Sequence, residues 1–244
     1  MRIAVLSDIH GNLGALEAVL ADASKRGFDL MVNLGDICSG PLQPRETADH
    51  LIPLDLPTIR GNHERQLLAA DLTNMGASDR FAREALDDRH RTWLEALPTS
   101  LSPATGVLLV HGTPNSDVEY WLETLAVEGL REATKAEIEQ RAGQAQAGLF
   151  LCGHTHLPRT RRLSNGSMVV NPGSVGLPAY EDDRPFPHAV ETGSPHARYA
   201  IVEGAGTDWR VEMIVVAYDW AMAALTAQDN GRPDWARALT TGRV

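Results

Sequence analysis

Five short apolar runs in this chain each stop at a residue able to bind a cation, and that recurrence limits the folds open to it. Ile3-Ala4-Val5-Leu6-Ser7 runs into Asp8-Ile9-His10. Met31-Val32-Asn33-Leu34-Gly35 runs into Asp36, and Pro57-Thr58-Ile59-Arg60-Gly61 into Asn62-His63-Glu64. Val107 to Val110 leads into His111-Gly112, and Leu149-Phe150-Leu151-Cys152-Gly153 into His154-Thr155-His156. In open α/β sheets, functional groups collect beyond the carboxyl ends of the strands. An α/β sheet would therefore bring residues from positions 8 to 156 into one cleft. Gly35, Gly61, Gly112 and Gly153 flank the candidates, where the backbone must turn sharply or admit another group.

The stretches between these runs fit that class. Arg2 to Ser7 reads as a first strand, not a signal peptide. Leu13 to Arg26 carries Leu13, Leu16, Val19, Leu20 and Ala23 at helical spacing, and Gly27 follows as a stop. Leu30 to Leu34 is a second strand, Arg45 to Leu51 a short helix and Pro57 to Arg60 a brief third strand. A longer polar, helical stretch covers Glu64 to Leu97. The strand Val107 to Val110 comes next, then helices around Glu119 to Leu125 and Leu130 to Ala142, and the strand Leu149 to Cys152. Met168 to Val170, Arg198 to Val202 and Arg210 to Val216 predict a second, mixed or antiparallel sheet packed on the first. Ala221 to Thr226 and Pro233 to Leu239 are closing helices. Glu181 to Pro195, rich in Pro, Gly, Asp and Glu, reads as an exposed loop.

At 244 residues and 43% apolar content, the chain fits one domain over residues 1–244 with one substantial core. No apolar run approaches the ~18 residues that a membrane span needs. Two cysteines, Cys38 and Cys152, make neither a CxxC pair nor a disulfide framework, so a reduced cytoplasm is the expected home. The net charge of −10 excludes broad electrostatic attraction for long nucleic acid. An anionic substrate needs a local positive focus, which bound cations would supply.

The candidate donors are imidazoles, carboxylates and one amide oxygen, without a thiolate. That set excludes a structural cysteine-rich zinc site and suits manganese, iron, nickel or zinc. Seven donors (Asp8, His10, Asp36, Asn62, His111, His154 and His156) are too many for one tetrahedral ion, so two divalent ions are expected, with manganese first in line. A carboxylate shared between cations about 3.5–4 Å apart is a common arrangement. Asp36, in the middle acidic motif, is the candidate bridge.

The series Asp8-x-His10, Gly35-Asp36, Gly61-Asn62-His63-Glu64, His111 and Gly153-His154-x-His156 resembles the calcineurin-like metallophosphoesterase superfamily. It is most similar to the compact bacterial phosphodiesterase-like branch that includes the YfcE proteins. Asn171-Pro172-Gly173-Ser174-Val175-Gly176 resembles a later loop of that branch, and Tyr218-Asp219 with the last helix its usual ending. The resemblance implies a four-layer α/β/β/α sandwich of two mixed sheets. It implies that Asp8, His10 and His156 hold a first metal and Asn62, His111 and His154 a second, with Asp36 bridging. His63 would bind no metal and would stabilise or protonate the leaving oxygen. The implied function is hydrolysis of a phosphodiester or phosphomonoester by a hydroxide formed on the metals. The substrate would be small, phosphorylated or nucleotide-like, with no membrane and no long nucleic acid as partner.

Rival readings are a dinucleoside polyphosphate hydrolase, a nuclease acting on short nucleotides, and a non-catalytic scaffold of the same fold. Retention of every ligand and of His63 argues against the scaffold. The oligomeric state is open, a homo-oligomer included. The segment Tyr180 to Pro195 is longer than its counterpart in the compact branch, and it would shape either the pocket or a subunit contact. His50, His90, His188 and His196 read as surface residues. Asn12 reads as a helix cap, and Trp121, Trp209, Trp220 and Trp235 as core or helix-face residues.

Overall fold

In a computed structural model describing residues 1–73 and 75–244, the chain begins β1 (Arg2–Leu6), α1 (Leu13–Arg26), β2 (Leu30–Asn33), α2 (Pro44–Leu51), α3 (Asn62–Leu67), α4 (Ala77–Ala85) and α5 (Asp88–Ala96). It continues β3 (Ser100–Ala104), β4 (Val107–Val110), β5 (Glu123–Ala126), β6 (Gly129–Glu132), α6 (Lys135–Ala142), β7 (Leu149–Leu151), β8 (Arg159–Arg162) and β9 (Met168–Asn171). A hairpin of β10 (Ala179–Asp182) and β11 (His188–Glu191), the long strands β12 (Ala197–Ala205) and β13 (Asp208–Val216), and helices α7 (Trp220–Asp229) and α8 (Pro233–Thr241) complete it.

Two mixed sheets dominate, ordered β13-β12-β1-β2 and β3-β4-β7-β9-β8. The period-2 alternation of side chains builds the layers. Ile3 and Val5 of β1 meet Leu109, Leu151 and Val170 in the core between the sheets. Their neighbours Ala4 and Leu6 face outward into a second core with Leu16 and Val19 of α1. On the other sheet, Phe150, Cys152 and Val169 face outward, under Trp121 and Ile138 of α6. Helices, sheet, sheet and helix therefore stack in that order, which is the four-layer sandwich. β1, β4 and β7 must be apolar on both faces because each is covered twice.

Several expectations change. The later strands do not form a sheet of their own. β9 pairs in parallel with β7, while β12 pairs antiparallel with β1, so both sheets draw on both halves of the chain. Pro57 to Arg60 makes only an isolated parallel bridge, Thr58 to Asn33, not a strand. The predicted helix at Glu119 to Leu125 and the start of that at Leu130 to Ala142 form the hairpin β5–β6 instead, and the helix begins only at Lys135. Local chemistry decides this. Gly129 at φ +117° closes the turn, and Thr134 starts α6 by accepting from the Glu137 amide at 3.3 Å. Glu64 to Leu97 divides into α3, α4 and α5. The polar strands β3 and β8 carried too little apolar alternation to be seen in sequence.

The supposed loop at Glu181 to Pro195 contains part of the β10–β11 hairpin, with Tyr180 opposite Val190. His90 is fully buried, not on the surface. Its Nε2 lies 2.9 Å from Asp49 and its Nδ1 2.8 Å from Asp87, so two carboxylates satisfy the ring that α5 turns inward. Trp121, Trp209 and Trp235 are buried as expected, and Asn12 caps α1 by accepting from the Ala15 amide. No helix among the described residues is long and apolar enough to cross a membrane.

Leu151 lies in the middle of the inter-sheet core with no exposed surface. Leu151→Ala is expected to cost about 2–5 kcal/mol in urea unfolding through the cavity it leaves. A loss below about 1 kcal/mol would mean that the two sheets do not share a close-packed core.

Candidate metal centre

The turns beyond β1, β2, β4 and β7 come together at one end of the sandwich. Backbone bonds continue past the strands: the Asp8 amide donates to Gly35 O at 3.0 Å, His10 to Asp36 O at 3.0 Å and Gly153 to His111 O at 2.8 Å. Five of the six non-glycine residues with positive φ among the described residues are candidate ligands: Asp8, His10, Asp36, His154 and His156. A side chain in that region costs about 1–3 kcal/mol, and such strain persists only where the surroundings impose it. Close approach explains the neighbouring glycines. A Cβ on Gly61 would sit 2.2 Å from Asp36 Oδ1, and one on Gly153 2.0 Å from Ser7 Oγ.

The structure brings all seven candidates together in two groups. Asp8, His10 and His156 form one, with ligand atoms within 4.8 Å of one another, and Asp36, His111 and His154 form the other on the same criterion. Asn62 joins the second through Oδ1, 3.1 Å from His111 Nε2. Asp36 Oδ2 lies 3.0 Å from His111 Nε2. Its carboxyl is held well below the ordinary range: burial works against this, but the charges of His111, His63 and His10 outweigh it. Asp36 thus interacts with imidazoles of both groups.

Backbone carbonyls fix the imidazoles. His10 Nδ1 donates to Ser39 O, His111 Nδ1 to Leu34 O and His156 Nδ1 to Leu177 O, each at 2.7 Å. A carbonyl only accepts, so each Nδ1 carries hydrogen and Nε2 is the nitrogen turned inward, free to bind a cation once it carries no proton. His154 is reversed: its Nε2 donates to Val118 O at 3.2 Å, leaving Nδ1 bare. His10 Nε2 and His156 Nε2 then face each other at 3.1 Å, and in the deprotonated state that a cation requires both present lone pairs there. Two lone pairs at that distance repel unless a cation lies between or beside them. Divalent cations therefore fit this donor set. Burial, with His156 nearby, lowers His10 to about 3. Burial, with His111 nearby, lowers His154 to about 3. Both rings are therefore neutral and ready to coordinate.

Four supports escaped sequence reading. Glu64 is fully buried, and its carboxylate accepts from the amides of Asp36, Ile37 and Gly61, each at 2.8 Å. One side chain thus ties the Asp36 turn to the Asn62 turn. Glu64 carries the first-turn signature of a helix, which concealed its reach to a second loop. Asp79 on α4 sits 2.8 Å from His63 Nδ1. Asn171 donates to Gly153 O at 2.7 Å and to Thr155 Oγ1 at 3.0 Å, bracing the His154 turn. Ser174 Oγ donates to Asp8 O at 2.7 Å. The partners of Asp79, Asn171 and Ser174 lie 16 or more residues away, and no local pattern marks them.

His63 lines the cleft beside these groups, with its ring 5.4 Å from that of His10. Burial alone would lower its pKa, but Asp36 and the hydrogen bond that Nδ1 donates to Asp79 raise it to about 9. The cleft has a volume of about 1110 Å³. His10, Asp36 and Asn62 lie at its base, Tyr120 and Tyr180 on one wall and Trp235 of α8 on another.

Without a cation, His111 is held protonated to about pH 10: burial opposes this, and the Asp36 charge and hydrogen bond outweigh it. A cation on Nε2 must displace that proton, so affinity for Mn²⁺ is expected to fall as pH falls, by about tenfold per unit. Calorimetric titrations at pH 6.5 and 8.5 check this. Equal affinities would show that His111 gives up no proton to the cation.

Comparisons with known proteins agree with this geometry. A family model described as the calcineurin-like phosphoesterase superfamily domain matches residues 1–191. The chain is 26% identical to the uncharacterized protein MJ0912 of Methanocaldococcus jannaschii, over 96% of this chain and 94% of that one. It is similar in structure to a metallophosphoesterase from Sphaerobacter thermophilus, with a TM-score of 0.77 and 27% identity over 99% of this chain and 100% of that one. The hypothetical protein PH1004 of Pyrococcus horikoshii shares the fold, with a TM-score of 0.76 and 20% identity over 99% of this chain and 98% of that one. The chain belongs to the calcineurin-like phosphoesterase superfamily, as a metal-dependent phosphoesterase.

Proposed function

We propose that the chain hydrolyses phosphodiesters of small substrates at a two-cation centre. Asp8, His10 and His156 would hold one ion, and Asn62, His111 and His154 the other, with Asp36 shared between them. The observation carrying this reading is the facing pair of Nε2 atoms of His10 and His156, 3.1 Å apart, beside a second group built on the same carbonyl-locked pattern. Two divalent cations at such a site supply Lewis-acid activation of water and neutralise charge on the phosphoryl oxygens. Manganese is the first ion to try, and iron, nickel and zinc suit the same donors.

The protein's own groups do the rest. Glu64 and Asn171 hold the ligand turns still, so little reorganisation is needed when charge develops. His63 keeps its proton at neutral pH, with Nδ1 directed at Asp79 and Nε2 left for the leaving oxygen. Arg184 and Arg237 line the cleft and make no salt bridge among the described residues, which favours an anionic ligand in a chain of net charge −10. The cleft is large enough for a nucleotide-sized diester. A non-catalytic scaffold has no need of a protonated histidine oriented into the cleft.

Metal-stripped protein supplied with manganese and assayed on bis(4-nitrophenyl) phosphate tests the reading. Absence of turnover with any of the four metals would reject it. Asp36→Asn is expected to weaken binding of both ions and abolish turnover. His63→Gln should retain both ions by metal analysis and lower kcat by about 10²–10⁴-fold on a diester with a poor leaving group. Full activity of His63→Gln on that diester would remove His63 from proton transfer.

A further inference from the structure

One wall of the cleft carries a hydrogen-bonded string that the reaction above does not use. It joins Tyr180 on β10, Tyr120 and His188 on β11. The tautomer of His188 sets its direction. The Phe186 carbonyl, 2.8 Å from His188 Nδ1, can only accept, so Nδ1 carries hydrogen, and the Nδ1–H tautomer has Nε2 as its acceptor. The Tyr120 hydroxyl, 2.8 Å from Nε2, is then the donor. Tyr120 Oη also lies 2.7 Å from Tyr180 Oη, and that contact needs a proton which Tyr120 has already committed. Tyr180 must supply it, with the His154 carbonyl as a weaker second acceptor at 3.3 Å. The Tyr180 oxygen is left with lone pairs and, among the described residues, no donor.

That oxygen is well placed to read a substrate. The Tyr180 ring packs edge-on against His156 at 4.7 Å, and the Tyr120 ring against His154 at 5.0 Å. Both tyrosines line the cleft with the candidate ligands. We propose that Tyr180 Oη is a specificity-determining acceptor that selects phosphodiesters whose ester arm bears a hydroxyl donor, as glycerol and ribose esters do. Tyr120 and His188 are positioning residues. They hold the Tyr180 proton away from the cleft, so the oxygen presents only lone pairs there. An ether in place of the hydroxyl brings lone pair against lone pair and is rejected. This rests on the phosphodiesterase reading above.

Two diesters separate the ideas: 4-nitrophenyl 3-hydroxypropyl phosphate and 4-nitrophenyl 3-methoxypropyl phosphate. They differ by one methyl on the terminal oxygen and release the same chromophore. The readout is the ratio of kcat/KM for hydroxyl over methoxy with the full chain and manganese, which cancels any general loss of activity. Wild type is expected to favour the hydroxyl by about tenfold, the worth of one hydrogen bond. Tyr180→Phe should bring the ratio to about one. Tyr120→Phe should bring it to one or below, because the Tyr180 proton then turns to the substrate. A merely structural role for either tyrosine would leave the ratio where it was. A wild-type ratio of one, or a Tyr180→Phe ratio equal to wild type, overturns the acceptor. A Tyr120→Phe ratio equal to wild type overturns the positioning string. Turnover of bis(4-nitrophenyl) phosphate with a wild-type ratio of one leaves the phosphodiesterase reading standing and removes this proposal. No turnover of any of the three diesters removes both.

Discussion

An imidazole whose Nδ1–H is given to a backbone carbonyl has only one direction left for its lone pair. His10, His111 and His156 are all held in this way, by Ser39, Leu34 and Leu177. Two of the carbonyls lie in the β2–α2 connection and the third between β9 and β10, so the orientation of the donors is written into the backbone and not left to side-chain rotamers. The rest of the site depends on this. With the rings locked, the inward nitrogens of His10 and His156 point at one another, in the same region where the protein tolerates positive φ at five ligand positions. A cation within reach of both donors would satisfy that pair.

Such an arrangement must be braced, and the bracing is buried polar chemistry. Glu64 ties two turns with one carboxylate, Asn171 secures the third, and Ser174 reaches the Asp8 carbonyl. A buried carboxylate is stable only if its lone pairs are filled, and three amides fill those of Glu64. The two-sheet sandwich beneath supplies the rigidity. Strands covered on both faces leave little freedom for the turns that leave them, so catalytic groups placed on turns are held almost as firmly as if they stood on strands.

Charge follows the same division. The chain as a whole is acidic, and its centre, before any cation, is a balance of carboxylates and imidazoles in which His111 and His63 retain protons and His10 and His154 do not. The pattern is set by neighbours. At His111 and His63 the charge of Asp36 and a carboxylate hydrogen bond outweigh burial, whereas at His10 and His154 burial prevails. On the proposed reading, a cation entering such a site would exchange with a proton at His111 and leave that of His63, which hydrogen-bonds Asp79, in place.

The sequence by itself marked β1, β2, β4 and β7 and the polar residues that gather at one end of the sheets, the seven candidate donors and His63, because these residues follow apolar runs and the period-2 pattern of a strand is local. It also determined α1 to the residue, where apolar spacing, the Asn12 cap and Gly27 agree. Tertiary structure alone decided how the strands divide between two sheets, since β1, β4 and β7 are apolar on both faces and carry no mark of which neighbour they pair with. It decided that His90 is buried between two carboxylates. It also decided that Asp79 hydrogen-bonds His63 and that Tyr120, Tyr180 and His188 form a string. Those outcomes hang on contacts between residues distant in the chain, 68 positions apart for Tyr120 and His188. A hydrogen bond that closes across such a separation leaves no periodicity in the chain for a reader of the sequence to find.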